Sequence, residues 1–164
     1  MNRALWNTQN DLAEKVRLGA IELLNQQLAD ALDLALQTKQ AHWNVKGPNF
    51  IALHELFDEV VKELFDHADD LAERAVVLGG TALGTARIVA GTSRLTEYPT
   101  DINSGREHVV ALSGALAKFG ASARAAIDAA NALGDADTTD LLTEVSRGVD
   151  KLLWKVEAHA QTKD

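Results

Sequence analysis

Ile21, Leu24, Leu28, Ala31 and Ala35 recur along the chain at gaps of three and four. That spacing lays one apolar stripe along an α-helix, whereas on a strand it would scatter over both faces. The pattern runs from about Asn10 to Asn44, and Gly47-Pro48 ends it, because proline cannot continue a helix and glycine accepts the turn. Asn49 is placed to cap a second helix reaching about Leu78, where Gly79-Gly80 stops it. A third pattern runs from about Ser104 to Leu133, with Val109, Leu112, Leu116, Phe119, Ala123 and Ala126 on one face. After the loop GDADTTD, a last helix carries Leu141, Val145, Val149, Leu152 and Val156. Asp137, with Asp140 three residues on, has the form of a capping box with Asp in place of the usual Glu. Residues 81–102 are mixed: a short helix is expected near 85–91, then the turn-like stretch EYPTD. Four long helices with a long link between the second and third describe an all-α four-helix bundle with one crossover. The abundance of Leu and Ala and the scarcity of proline and aromatics fit it. At 164 residues the chain reads as a single domain over 1–164, with residues 1–9 as a short N-terminal tail.

Several function classes recede at once. There is no cysteine, hence no disulfide framework and no thiolate metal site, and the chain needs no oxidising compartment. The start, MNRALWNTQNDLAEK, lacks an apolar signal core, and no stretch approaches the roughly 20 apolar residues of a membrane span. A soluble, cytoplasmic protein with no membrane partner is expected. The formal net charge is −8, which suits a protein that handles cations better than one that grips DNA.

The chemistry is concentrated around AHWNVKGPNFIALHELFDE, residues 41–59. With His54 at 0° on a helical wheel, Asp58 falls near 40°, Asp69 near 60° and Glu73 near 100°. They form two pairs, His54/Asp58 and Asp69/Glu73, each spaced so that both side chains can touch one ion. The pair centres are about 22 Å apart along the axis, so no single ion bridges them within one chain. Either these are two incomplete sites, or two copies of the helix pack antiparallel with a twofold near Glu63, each pair meeting the partner's other pair. Val61, Phe65, Ala68 and Ala72 lie within about 40° of the His54 direction, and a stripe half apolar and half carboxylate fits the second arrangement. His42 can join from the end of the first helix. Two imidazoles and three carboxylates suit Fe(II), and also Zn(II), Co(II) or Mn(II).

A bland reading stands beside this one. A lone His and Asp at such spacing is ordinarily a solvated pair; the second pair, in phase with an apolar stripe, is what sets these apart. Di-iron sites built within one chain use Glu-x-x-His, and no histidine here has Glu three residues before it. Trp43 reads most simply as a core aromatic; packed against the site, it would also accept an electron from an over-oxidised centre. Asp66, Asp70 and His67 lie off the stripe and read as solvated.

With these residues in hand, the sequence resembles the Dps family, mini-ferritins named as DNA-binding proteins from starved cells. The resemblance covers nearly the whole chain. It is strongest over TKQAHWNVKGPNFIALHELFDE, DHADDLAERAVVLGGTALGT, YPTDI and TTDLLTEVSRGVDKLLW. The spacing of His42, His54, Asp58, Asp69 and Glu73 matches the family's ferroxidase ligands at every position. The resemblance implies a ferritin-like four-helix bundle with a short helix in the crossover, and a hollow homo-dodecamer built from twofold dimers. It implies an iron site at each end of the dimer interface, with His42, His54 and Asp58 from one subunit and Asp69 and Glu73 from the other. The implied activity is a ferroxidase that oxidises Fe(II), preferably with hydrogen peroxide, stores ferric oxide and protects DNA from oxidative stress. Zinc is expected to substitute for iron.

Other features remain open. Glu55 and Glu59 are candidates to face the cavity and nucleate mineral, or form a solvated face. Asp135, Asp137 and Asp140 are candidates for a pore that attracts Fe(II), or for ordinary caps. The alternative function is a nucleoid-compacting DNA-binding protein, which in this family often uses a basic terminal tail. Here MNRALWNTQ holds one basic residue, Arg3, and KVEAHAQTKD offsets its two lysines with Glu157 and Asp164. Neither is a polybasic arm, so direct DNA binding is not expected to be strong.

Overall fold

The computed structural model describes residues 5–161; Arg3, Lys163 and Asp164, which entered the tail argument, lie outside them. The chain folds as α1 (Glu14–Asn44), α2 (Phe50–Val77), α3 (Ala86–Thr92), α4 (Gly105–Leu133) and α5 (Ala136–Glu157), with a 3₁₀ turn at Ala158–Ala160. α1 packs on α2 and α4, and α5 packs on α4 and α2, which closes a four-helix bundle. Short links join α1 to α2 and α4 to α5, so each pair is an antiparallel hairpin. The α2–α4 link, which holds α3, is the crossover. The centre is filled by Leu24, Leu34, Phe57, Leu64, Leu116, Phe119 and Leu152, all fully buried. Each such side chain contributes roughly 1.5–3 kcal/mol by leaving water. No helix among the described residues is long and apolar enough to cross a membrane.

Four helices and the crossover helix follow the sequence pattern, and the differences have local causes. α1 begins at Glu14 rather than near Asn10. The Thr8 hydroxyl accepts from the Asn10 amide at 3.2 Å, and the Asn10 side chain accepts from the Leu12 amide at 3.1 Å. These local bonds offer the backbone an alternative to the helix. The α5 cap is Asp135, not Asp137: its carboxylate accepts from the Thr138 amide at 3.0 Å and the Thr138 hydroxyl at 2.6 Å. α5 buries Leu142 fully and Leu141 only in part, because Leu142, Val145, Val149, Leu152 and Val156 hold the strict three–four alternation. At α4 the capping box is Ser104 with Glu107, and the Ser104 hydroxyl and amides hold the Glu107 carboxyl below its ordinary range.

The crossover is tied to α1 by a polar stripe at helical spacing. Asn25 bonds the Thr81 carbonyl at 3.1 Å and the Leu83 amide at 2.8 Å. Gln26 donates to the Thr92 carbonyl at 3.0 Å, and Gln37 to the Thr96 carbonyl at 3.1 Å. Asp30, 1% exposed, accepts from the Arg94 amide at 2.8 Å and its guanidinium Nε at 3.1 Å. Asp33 accepts from Ser93 at 2.5 Å. Gly79, with φ +86°, opens the crossover where any Cβ would lie 2.7 Å from the Trp6 carbonyl oxygen.

Candidate metal centre

The α1–α2 turn brings His42 and His54 face to face, with ring centroids 3.7 Å apart and planes within 19°. Their hydrogen bonds are reciprocal. His42 Nδ1 lies 2.7 Å from the His54 carbonyl oxygen, and His54 Nδ1 lies 2.9 Å from the His42 carbonyl oxygen. A carbonyl only accepts, so each Nδ1 carries a proton, and in the neutral ring each Nε2 keeps its lone pair. That is the tautomer a metal needs, held by a backbone carbonyl on the far side of the ring. His42 is 9% exposed and His54 is half-buried.

Asp58 stands one turn after His54 on the solvent side. It is paired with Lys39, three residues before His42 on α1. The lysine's hydrogen bond, reinforced by its positive charge, holds the Asp58 carboxyl below its ordinary range. Lys39 was not among the expected site residues. Its place one turn from His42 is the sequence signal that marks it.

Asp69 and Glu73 are exposed further along α2 and form no ion pair among the described residues. Within one chain, among those residues, no three His, Asp or Glu side chains converge on a point where an ion could sit. Their neighbour Arg74 is anchored: Nε donates to Thr138 at 3.0 Å and Nη2 to Asp135 at 2.7 Å, with Asp137 at 3.7 Å. Burial pushes the Asp135 carboxyl up, but Thr138 and Arg74 outweigh it and leave it below the ordinary range. The end of α2 that carries Glu73 is thereby fixed to the start of α5.

The apolar residues between the pairs divide. Val61 and Ala68 are buried in the chain's own bundle, Ala72 is half-buried, and Phe65 is 46% exposed. The stripe therefore runs along the edge of the core, and only its outer side is free to meet another surface. Two expectations fail here. Trp43 is not a core aromatic but 65% exposed, about 100° around α1 from His42. His67 is not solvated: its Nε2 is buried without a partner among the described residues, and a Cβ at Gly148 of α5 would sit 2.4 Å from it. Glu55 and Asp140 are exposed, and Glu59 pairs with Lys155, whose ammonium is held up by that hydrogen bond.

Comparison with known proteins is consistent across the chain. The family model described as "Ferritin-like domain" matches residues 21–163. A "DNA protection during starvation protein" of Agrobacterium fabrum is 48% identical over 95% of this chain and 96% of its own length. The solved structure of Dps from Microbacterium arborescens "in the high iron form" superposes with a TM-score of 0.86 at 33% identity, covering 97% of this chain and all of that one. A Dps protein of Vibrio cholerae, described as a member of a broad superfamily of ferritin-like diiron-carboxylate proteins, gives 0.87 at 25% identity, covering 98% of this chain and 100% of that one.

Proposed function

Because the chain belongs to the Dps branch of the ferritin-like family, we propose that it is a mini-ferritin whose substrate is Fe(II), oxidised at sites shared between two subunits and stored as ferric oxide. The observation that carries this reading is the reciprocal histidine arrangement, which leaves both Nε2 atoms free for a metal beside an ionised Asp58. In this reading the whole chain is one ferritin-like domain. His42, His54 and Asp58 of one subunit face Asp69 and Glu73 of the other across the outer edge of α2, where Phe65 supplies apolar contact. The descriptions of the Microbacterium and Vibrio structures, naming high iron and a diiron-carboxylate superfamily, support iron over zinc, though zinc suits the same donors.

The side chains have separable roles. The imidazoles bind Fe(II), and the carboxylates favour Fe(III), the harder ion, so the site pulls the reaction forward. Lys39 keeps Asp58 ionised until a cation displaces it. Hydrogen peroxide is the proposed oxidant: two Fe(II) give two electrons to one peroxide, which takes two protons and leaves as water without releasing hydroxyl radical. An over-oxidised centre is short of electrons, so Trp43, exposed beside His42, is proposed as a donor to it and not as the acceptor first expected. The proposed assembly is a cytoplasmic homo-dodecamer of twofold dimers. Protection of DNA, named in the Agrobacterium relative, is read here as chemical, through removal of iron and peroxide, in keeping with the charge of −8.

Mixed assembly tests the shared site. Chains carrying His54→Ala or Asp69→Ala should each oxidise iron poorly. Denatured together and co-assembled, they form mixed dimers in which one of the two sites draws its ligands only from the intact halves. Roughly a quarter of the sites should return on random pairing. If the mixture is no more active than its components, the site is not shared between subunits.

A further inference from the structure

Tyr98 and His108 form a buried pair that the proposed iron chemistry does not use. The Tyr98 hydroxyl lies 2.7 Å from His108 Nδ1, and the rings are stacked within 10°. Tyr98 is 8% exposed and His108 1%. Burial pushes the phenol up and the imidazole down, so the shared proton rests on Tyr98, with Nδ1 accepting. Among the described residues His108 Nε2 has no hydrogen-bond partner of good geometry, but the Asn44 backbone is near enough to favour the charged ring. A phenol hydrogen-bonded to a neutral base inside a protein has a defined chemistry. Losing an electron makes the phenol a strong acid, and the base takes its proton without water.

The pair's place in the fold gives this chemistry a use. α4 enters the bundle directly behind the two histidines. Lys46 donates its amide to the Asn103 carbonyl at 2.9 Å, and a Cβ on Gly105 would meet the Leu53 side chain, next to His54, at 2.6 Å. His108 is one turn further along α4, against Asn44, the residue after Trp43. The route from the proposed iron site to Tyr98 thus follows the α1 chain from His42 through Trp43 to Asn44, and crosses there to His108 and Tyr98.

We propose that Tyr98 and His108 are a proton-coupled electron donor that quenches one-electron oxidants formed at the iron site. When an unpaired Fe(II) meets peroxide, the product is Fe(III), hydroxide and a hydroxyl radical. In the proposed step Tyr98 supplies one electron, through Trp43, to that radical or its iron-bound equivalent, which becomes hydroxide. The phenolic proton moves to His108 Nδ1, leaving a neutral tyrosyl radical and an imidazolium. A later electron, from a further Fe(II), restores the pair. The oxidant's source rests on the proposed function; the pair's competence as a donor does not.

The chain has one tyrosine, so a tyrosyl signal can come only from Tyr98. The first arm uses the assembled metal-free protein and a flash-generated ruthenium(III) oxidant, read by electron paramagnetic resonance with ring-deuterated tyrosine to separate tyrosyl from indole signals. The wild type should give a tyrosyl radical, formed more slowly in D2O; Tyr98→Phe should give only indole signals. In His108→Gln, which can accept the hydrogen bond but not the proton, the radical should form roughly a hundredfold more slowly, the scale of losing a general base. No tyrosyl signal in the wild type, or an undiminished rate in His108→Gln, overturns the proposal. The second arm adds Fe(II) below one ion per site, then peroxide, and expects the same signal. A donor that works in the first arm and stays silent in the second, while iron is still oxidised, overturns its role at the iron site. Absence of iron oxidation instead overturns the ferroxidase reading.

Discussion

α1 and α2 each carry a stripe of polar side chains at helical spacing, and they have opposite fates. On α1, Asn25, Gln26, Asp30, Asp33 and Gln37 are all engaged by the crossover. On α2, among the described residues, Asp69 and Glu73 engage no ion partner, Asp58 has only a lysine, and the histidines use one nitrogen each and leave the other. A polar stripe answered from within the chain is architecture. One left unanswered at the edge of the core is, in the proposed function, the surface that meets an ion and a second subunit. The outer Phe65 and the buried Val61 mark the boundary between those conditions.

The comparison breaks most visibly at the unanswered stripe. Replacing His54 or Asp58 with alanine should slow peroxide-driven iron oxidation at least roughly a hundredfold, beyond the usual loss from outer-shell changes, while the helical signal and the assembly persist. Stopped-flow absorbance of ferric product reads it, and unchanged rates in both variants would sink the assignment. The reverse result is expected on α1. Asp30→Ala strands the Arg94 guanidinium and amide and should cost about 2 kcal/mol, judged by the loss of a buried hydrogen-bond acceptor. Hydrogen exchange at the amides of residues 92–96 should quicken, and iron oxidation should hold.

Reading those fates from sequence was possible only in part. The helices were legible because apolar spacing and the Gly-Pro and Gly-Gly breaks are local signals. Four of the five proposed ligands, His54, Asp58, Asp69 and Glu73, are legible because helix geometry alone puts them in phase on α2; His42 comes from α1, just across the Gly47-Pro48 turn. The α1 stripe was not, since nothing local tells a solvated face from one that a crossover will cover. Trp43 and His67 were misjudged for the same reason: one residue of helix rotation decides which side of the core boundary a side chain meets. Asp135, one of the three candidate caps, is the one that caps α5, although Asp137 offers the more familiar spacing; Lys39 escapes notice because a lysine is rarely counted with metal ligands.

Acid sharpens the contrast between answered and unanswered groups. Burial holds the His108 imidazole below its ordinary value of 6.5, so the unfolded chain takes up that proton first as pH falls. Its contribution is complete above the ordinary value and is lost as pH drops below it, at no more than about 1.4 kcal/mol per pH unit. Urea unfolding at about pH 7.5 and about pH 5.5 should show a smaller decline in His108→Gln than in the wild type. An equal decline would mean another group carries it. The smallest effect belongs to Lys39. Its pair with Asp58 is solvent-exposed, and such pairs contribute little, so Lys39→Ala should tighten zinc or Fe(II) binding by about fivefold or less. Weaker binding in calorimetry would instead make the lysine a support for the site.

The mutual clasp of His42 and His54 also bears on how the chain can change. Each imidazole stands on the other's backbone and covers the other's face, so losing one loosens the ring that remains. The second loss then does less harm than the first, and the two positions are strongly epistatic. A lineage that gave up either histidine would feel little selection to keep its neighbour. The pair is built to be inherited, or abandoned, as one character.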